Sequence, residues 1–210
     1  MPISNVELQD QMEFMAQYPD NFFNIAIVDP NYGLGDKLLI GGKKGHLTFS
    51  TQYMESGWID AVPDQAYFNE LFRISVNQII WGGNYFNLPT YRCPIVWDKM
   101  QPVPNFSAFE LAWTSFDKPA KIFKLRQAGF IGESKIHPTQ KPVKLYKWTL
   151  HTFAQPGDKI LDTGMGSQSS RIAAWDLGFD YWGCDNNEKF YKEGCDRFDN
   201  HIKQLTLFDN

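Results

Sequence analysis

The chain has 210 residues (24.3 kDa), 43% of them apolar and 16% aromatic, enough to bury one domain-sized core and too apolar for a disordered chain. No apolar run approaches the roughly 20 residues that span a bilayer, the N-terminal MPISNVELQD lacks the basic and apolar parts of a signal peptide, and Cys93, Cys184 and Cys195 form no Cys-x-x-Cys pair. A soluble cytoplasmic protein is expected, with no membrane contact, disulfide framework or metal site. The net charge of −4 hides an asymmetry: Lys118 to Lys147 holds eight basic residues and one acid, Glu133, a local +7 that leaves the remainder at −11. Such a stretch is the usual footprint of a polyanion ligand, although charge alone favours a solvated face.

In chain order, the run from Asn24 to Val28 is continuously apolar and stops at Asp29-Pro30, as a buried parallel strand does. Residues 33–60 carry glycines at 33, 35, 41, 42, 45 and 57 with Lys43 and Lys44 among them, and read as a long mobile loop. Residues 64–76 space apolar side chains as a helix does, Gln78 to Trp81 ends at Gly82-Gly83, and Pro94 to Trp97 ends at Asp98-Lys99. Residues 100–136 are mixed in character and read as a short insertion, a candidate target-recognition region. A helix over 143–153, a strand from Lys159 to Leu161 ending at Asp162, a helix over 168–177 and a strand from Tyr181 to Cys184 ending at Asp185 complete the pattern. Strands alternating with helices predict a single α/β domain with an open, doubly wound sheet. Ligands of such sheets collect beyond the carboxyl ends of the strands.

Three segments carry chemistry. Asp162-Thr163-Gly164-Met165-Gly166-Ser167 joins a strand to a helix, where glycines let the backbone approach a ligand and expose amides. Asp185 closes the next strand 23 positions later, a spacing that suits a ribose diol. Asp29-Pro30-Asn31-Tyr32 sets a carboxylate, a backbone carbonyl and an aromatic ring at a strand end, a set able to accept an amino group's hydrogens and stack a base. On its own it is also a good turn sequence. His137-Pro138-Thr139-Gln140-Lys141-Pro142 is stiffened by two prolines ahead of a helix. His46, His151 and His201 have no metal-ligand spacing with it.

Together these segments resemble the β-class amino-group (adenine-N6/cytosine-N4) DNA methyltransferases. In that family an Asp-Pro-Pro-Tyr motif comes first and the cofactor motifs come near the C-terminus, so the S-adenosylmethionine-dependent, Rossmann-like fold is read in circularly permuted order. Asp29 to Tyr32 match the catalytic motif, His137 to Val143 the His-Pro-Thr-Gln-Lys-Pro segment, and Leu161 to Ser170 the glycine-rich cofactor loop. The likeness covers most of residues 20–200.

The resemblance implies methyl transfer from S-adenosylmethionine to the exocyclic amino group of a flipped base in double-stranded DNA, with Asp at the head of the motif favouring N6 of adenine. Cytosine N4, or a weak or inactive DNA-binding subunit of the same fold, are the alternatives. It implies Asp29, Pro30, Asn31 and Tyr32 as catalytic, and Asp162, Thr163, Gly164, Gly166, Ser167, Asp185, His137, Thr139, Gln140 and Lys141 as cofactor-binding. Lys43, Lys44, Lys118, Lys121, Lys124 and Arg126 are the candidates for DNA phosphates. A prokaryotic or phage restriction–modification setting is implied, and a homodimer is one way for so short a chain to gain specificity. Two positions depart from the family pattern: Asn31 replaces its second proline, and Gln168 a glycine of the cofactor loop, where a side chain is expected to crowd the cofactor or force a small backbone shift.

Overall fold

Eight strands form one sheet in a computed structural model that describes residues 1–34, 61–101, 107–126 and 135–208. The strands are β1 (Ser4–Leu8), β2 (Phe23–Val28), β3 (Ser75–Trp81), β4 (Ile95–Asp98), β5 (Phe109–Thr114), β6 (Lys121–Lys124), β7 (Lys159–Asp162) and β8 (Asp180–Asp185). The helices are α1 (Gln11–Met15), α2 (Gln65–Ile74), α3 (Val143–Phe153), α4 (Ser169–Asp176) and α5 (Glu188–Phe208). Asp10 and Asp64 cap α1 and α2, the first carboxylate accepting from the amides of Met12 and Glu13 and the second from that of Tyr67.

The strand order is β1-β8-β7-β2-β3-β5-β4-β6. From β1 to β3 all neighbours are parallel, β5 runs antiparallel to both β3 and β4, and β6 is parallel to β4. The expected open sheet is therefore present. Its inner strands are buried on both faces, which is why they read as unbroken apolar runs. Ile25, Ile27, Ile79, Trp81, Ile160 and Tyr181 point into one core, beneath α3, α4 and α5. Ala26, Val28, Ile80, Leu161 and Trp182 point into the other, beneath α1 and α2. Among the described residues no helix is long and apolar enough to cross a membrane.

Residues 100–136, expected as an insertion, contribute β5 and β6, and β5 lies inside the sheet between β3 and β4. The loop expected over 33–60 lies almost wholly outside the described residues, Lys43 and Lys44 with it. Strand β2 pairs with β3 on one side and β7 on the other. From β2 the chain winds outward to β3, and from β7 it winds the opposite way to β8. The boundary between β2 and β7 is thus the point where strand order reverses, and a crevice opens there at the carboxyl ends.

Ile27, fully buried in the centre of β2, reports on this frame. Ile27→Ala is expected to lower the unfolding free energy by about 2–5 kcal/mol with the denaturant slope unchanged, as chemical denaturation would read it.

Candidate active site

The crevice is a cavity of about 400 Å³, within the range of about 300–1,000 Å³ of small-molecule sites. Its walls come from all three segments singled out in the sequence. Asp29, Pro30 and Asn31 follow β2; Thr163, Gly164, Gly166 and Ser167 follow β7; Asp185 ends β8; and His137, Thr139, Gln140 and Lys141 precede α3. Gln11, Asn187 and Phe190 also line it and carried no signal of their own in the sequence.

The glycine loop is shaped by hydrogen bonds to two aspartates. The Gly166 amide donates to Asp185 Oδ2 at 2.7 Å and the Asn187 amide to Oδ1 at 2.9 Å, leaving acceptor capacity on both oxygens. Gly166 has φ +46°, and a side chain there would press on the His137 ring at 3.3 Å, whereas one at Gly164 would meet nothing within 4 Å. His137 lies edge-on to Phe190 at 4.4 Å, and burial with the charges of Lys135 and Lys141 lowers its pKa to about 3, so the imidazole is neutral.

Asp162 lies beneath the loop, not in the cavity wall. Its carboxylate accepts from the Gly164 amide at 3.1 Å and from Ser170 Oγ at 2.6 Å, which makes it a brace for the loop. Gln168 takes a left-handed conformation, φ 58°, that ordinarily favours glycine. Its side chain turns away from the cavity, donating to the Tyr191 carbonyl at 3.3 Å and accepting from Arg171 Nη1 at 2.8 Å. Gly194 on α5 makes the room, since a Cβ there would stand 2.7 Å from Gln168 Cγ. The expected crowding of the cavity by Gln168 does not occur.

Asp29 lies in the opposite wall. Its Oδ1 accepts from the Tyr32 hydroxyl at 2.6 Å and its Oδ2 pairs with Lys141 Nζ at 2.5 Å. The Tyr32 ring fits because residue 82 is glycine: a Cβ there would stand 2.1 Å from it. That ring stacks on Tyr85 at 4.9 Å, an aromatic pair half open to solvent through Tyr85. Lys141 also faces Glu110 on β5, which is paired in turn with Lys99. Burial drives the Asp29 carboxyl above the usual carboxylate range, with Lys141 pulling it back. Burial likewise works against the charges of Lys141 and Glu110, but their partners outweigh it, so both remain ionised. Glu110 had no signature in the sequence, and Lys141, expected on the cofactor, lines the cavity with its ammonium turned to Asp29.

Residues 97–195 match the family model for DNA methylases of the N6/N4 type. This stretch, a little under half of the chain, is what resembles these DNA methylases in sequence. Three solved structures have similar folds. TTHA0409 of Thermus thermophilus, a candidate DNA modification methylase complexed with S-adenosyl-L-methionine, aligns with TM-score 0.59 and 17% identity over 95% of each chain. The M1.HpyAVI–SAM complex aligns with TM-score 0.57 and 15% identity over 92% of this chain and 98% of that one. The cytosine-N4-specific PvuII DNA methyltransferase aligns with TM-score 0.58 and 13% identity over 96% and 94%. The open sheet thus has the fold of these S-adenosylmethionine-dependent methyltransferase structures, and in the chain Asp29 comes ahead of the glycine loop.

The expected phosphate contacts are divided by the sheet. Lys124 and Arg126, exposed, lie at the end of β6 that shares the cavity side, whereas Lys118 and Lys121 lie at the far end. Lys118 there packs over Phe116 and Phe153, with its ammonium 5.2 and 5.3 Å from the rings. Among the described residues no group of three or more His, Cys, Asp or Glu is placed to hold a metal ion.

Burial pushes the Asp162 carboxyl up to about 7, against the hydrogen bonds of Ser170 and Gly164. A folded value above the unfolded value of about 3.9 stabilises the fold fully below that unfolded value, and the contribution is lost as pH rises through about 7. Asp162→Asn is therefore expected to flatten the fall in Tm between pH 5 and 8. An unchanged slope would place the proton elsewhere.

Proposed function

We propose that the protein is a DNA methyltransferase that uses S-adenosylmethionine to methylate the exocyclic amino group of a base turned out of double-stranded DNA, N6 of adenine in preference to N4 of cytosine. The observation that carries this reading is the placement of Asp29, with the Pro30 carbonyl beside it, across one cavity from the glycine loop and Asp185. The cavity's residues suit the cofactor. A strand-end carboxylate with spare acceptor capacity stands ready for a diol, open space lies over Gly164, and Phe190 and neutral His137 offer apolar surface. When bound, S-adenosylmethionine supplies an electrophilic methyl group.

The protein's own part is to make the amine nucleophilic. An exocyclic amine is a weak nucleophile because its lone pair is delocalised into the ring. Hydrogen bonds from its two N–H groups to Asp29 and to the Pro30 carbonyl draw the nitrogen toward tetrahedral geometry and free that lone pair. As positive charge develops on the nitrogen, the Asp29 carboxylate attracts it more strongly, so the interaction favours the transition state over the ground state. Burial around Asp29 strengthens that attraction and raises its basicity, which suits it to receive the proton the amine gives up. Tyr32 and Tyr85 offer aromatic faces that offset part of the few kcal/mol lost when the base leaves the stack. Lys124 and Arg126 supply phosphate contacts on the cavity side, which position DNA without reading its sequence.

Asp29→Ala is expected to reduce transfer of labelled methyl groups to DNA by about a hundred- to thousandfold while S-adenosylhomocysteine still binds in calorimetry. Asp185→Ala is expected to weaken that binding by about tenfold or more through the lost charge-assisted hydrogen bonds. Methylation retained by Asp29→Ala would remove the catalytic assignment, and undiminished binding by Asp185→Ala would remove the cofactor assignment.

A further inference from the structure

Asp29 needs one cation to balance its charge, and Lys141 provides it. The chain of charges nevertheless continues through Glu110 to Lys99, so that four side chains alternate in sign and sum to zero. Their side chains are 14% (Asp29), 3% (Lys141), 23% (Glu110) and 7% (Lys99) exposed. Burying an additional ion pair is a poor way to gain stability, because each ion loses several kcal/mol of hydration. Charge balance at Asp29 does not account for Glu110 and Lys99.

The chemistry at Asp29 does account for them. A target amine must bring its N–H donors to a carboxylate whose Oδ2 already faces an ammonium at 2.5 Å. Positive charge developing on that amine would also be repelled by Lys141. That developing charge favours retreat of the ammonium, and in a buried site it can retreat only toward another anion. Glu110 Oε2 is 3.1 Å from Lys141 Nζ, yet it is buried and receives no aligned hydrogen bond among the described residues. That oxygen is already ion-paired with the ammonium and has room to take an aligned bond from it as it moves. Lys99 pairs with the other oxygen of Glu110 and holds that carboxylate in place. Tyr32 and Trp81 present rings 5.6 and 5.5 Å from the ammonium, so the retreat stays within a site that tolerates a cation.

We infer that Glu110 is a positioning residue for the proposed methyl transfer: it draws Lys141 off the Asp29 carboxylate as the target amino group arrives, and Lys99 anchors it. The inference rests on the proposed function for its purpose, and on the geometry of the four side chains for its mechanics. Glu110 acts through Lys141 and does not itself line the cavity.

Two measurements test it. The first is a crystal structure of Asp29→Asn, in which residue 29 presents an uncharged amide as an arriving amine would. Lys141 Nζ is expected to leave residue 29 and form an aligned hydrogen bond with Glu110 Oε2. An ammonium still seated on residue 29, or turned to solvent, overturns the inference. The second is a double-mutant cycle with Glu110→Gln and Lys141→Met. In the wild-type background Glu110→Gln is expected to lower kcat by about 10- to 100-fold, with S-adenosylhomocysteine affinity changed less than about threefold. In the Lys141→Met background it is expected to change kcat by less than about twofold. Equal losses in both backgrounds, or a loss of affinity matching the loss of kcat, overturn it. Should Glu110→Gln fail to fold, the Asp29→Asn structure decides. A wild-type protein that methylates no DNA while Lys141 still shifts in Asp29→Asn overturns the functional reading and leaves the mechanics standing.

Discussion

The pairing of β2 with β7 is the contact on which the rest of the molecule depends. Ile25 lies beside Ile160 and Ala26 beside Leu161, joining strands more than a hundred residues apart. Each of these strands ends in a segment of little use alone: a carboxylate with a proline carbonyl on one, a glycine-rich loop on the other. Side by side at the reversal of strand order, they become two walls of one cavity. The pairing is held by two cores, because successive residues of β2 alternate between the α3–α5 side and the α1–α2 side. Displacement of β2 would move Asp29 relative to the loop, so packing in the cores and geometry in the site are one constraint.

Electrostatics in the cavity follows from the same burial. On the loop side, carboxylates are held by backbone amides and hydroxyls: Asp185 by Gly166 and Asn187, Asp162 by Gly164 and Ser170. On the β2 side the carboxylate is held by an ammonium and a phenol. The difference suits two tasks. Amide-bound carboxylates are fixed acceptors for a ligand that stays put, whereas a carboxylate paired with a movable cation can exchange that partner for another. The buried chain from Asp29 to Lys99 is then a device for exchange more than for stability, consistent with the high hydration cost of its ions.

The strands of the site were legible in the sequence because strands covered on both faces form unbroken apolar runs, and each run stops at the residue that matters: Asp29, Asp162 and Asp185. Strand β5 was not legible, because Glu110 interrupts Phe109-Glu110-Leu111-Ala112 with the charge that the site requires. Strand β6 lies at the sheet edge with alternate residues exposed, and its Lys121 and Lys124 read as part of a basic stretch. Helix α5 hides for a related reason. Its buried Phe190 and Phe198 lie eight residues apart with Gly194 between them, where an apolar side chain would complete the stripe. That glycine makes room for Gln168, so the one departure that suggested a crowded cofactor site is compensated 26 positions away. Partnerships of this kind, Gln168 with Gly194 and Lys141 with Glu110, have no local signature. They exist only once the sheet has assembled.

The central claim is that the Asp29 side of the cavity prepares an amino group of DNA for methylation. The most direct measurement is nucleoside mass spectrometry after incubating the wild-type protein with methyl-labelled S-adenosylmethionine and unmethylated genomic DNA. Labelled N6-methyladenine is the predicted product. Labelled N4-methylcytosine would contradict the assigned base, and DNA free of labelled nucleoside would contradict the claim itself.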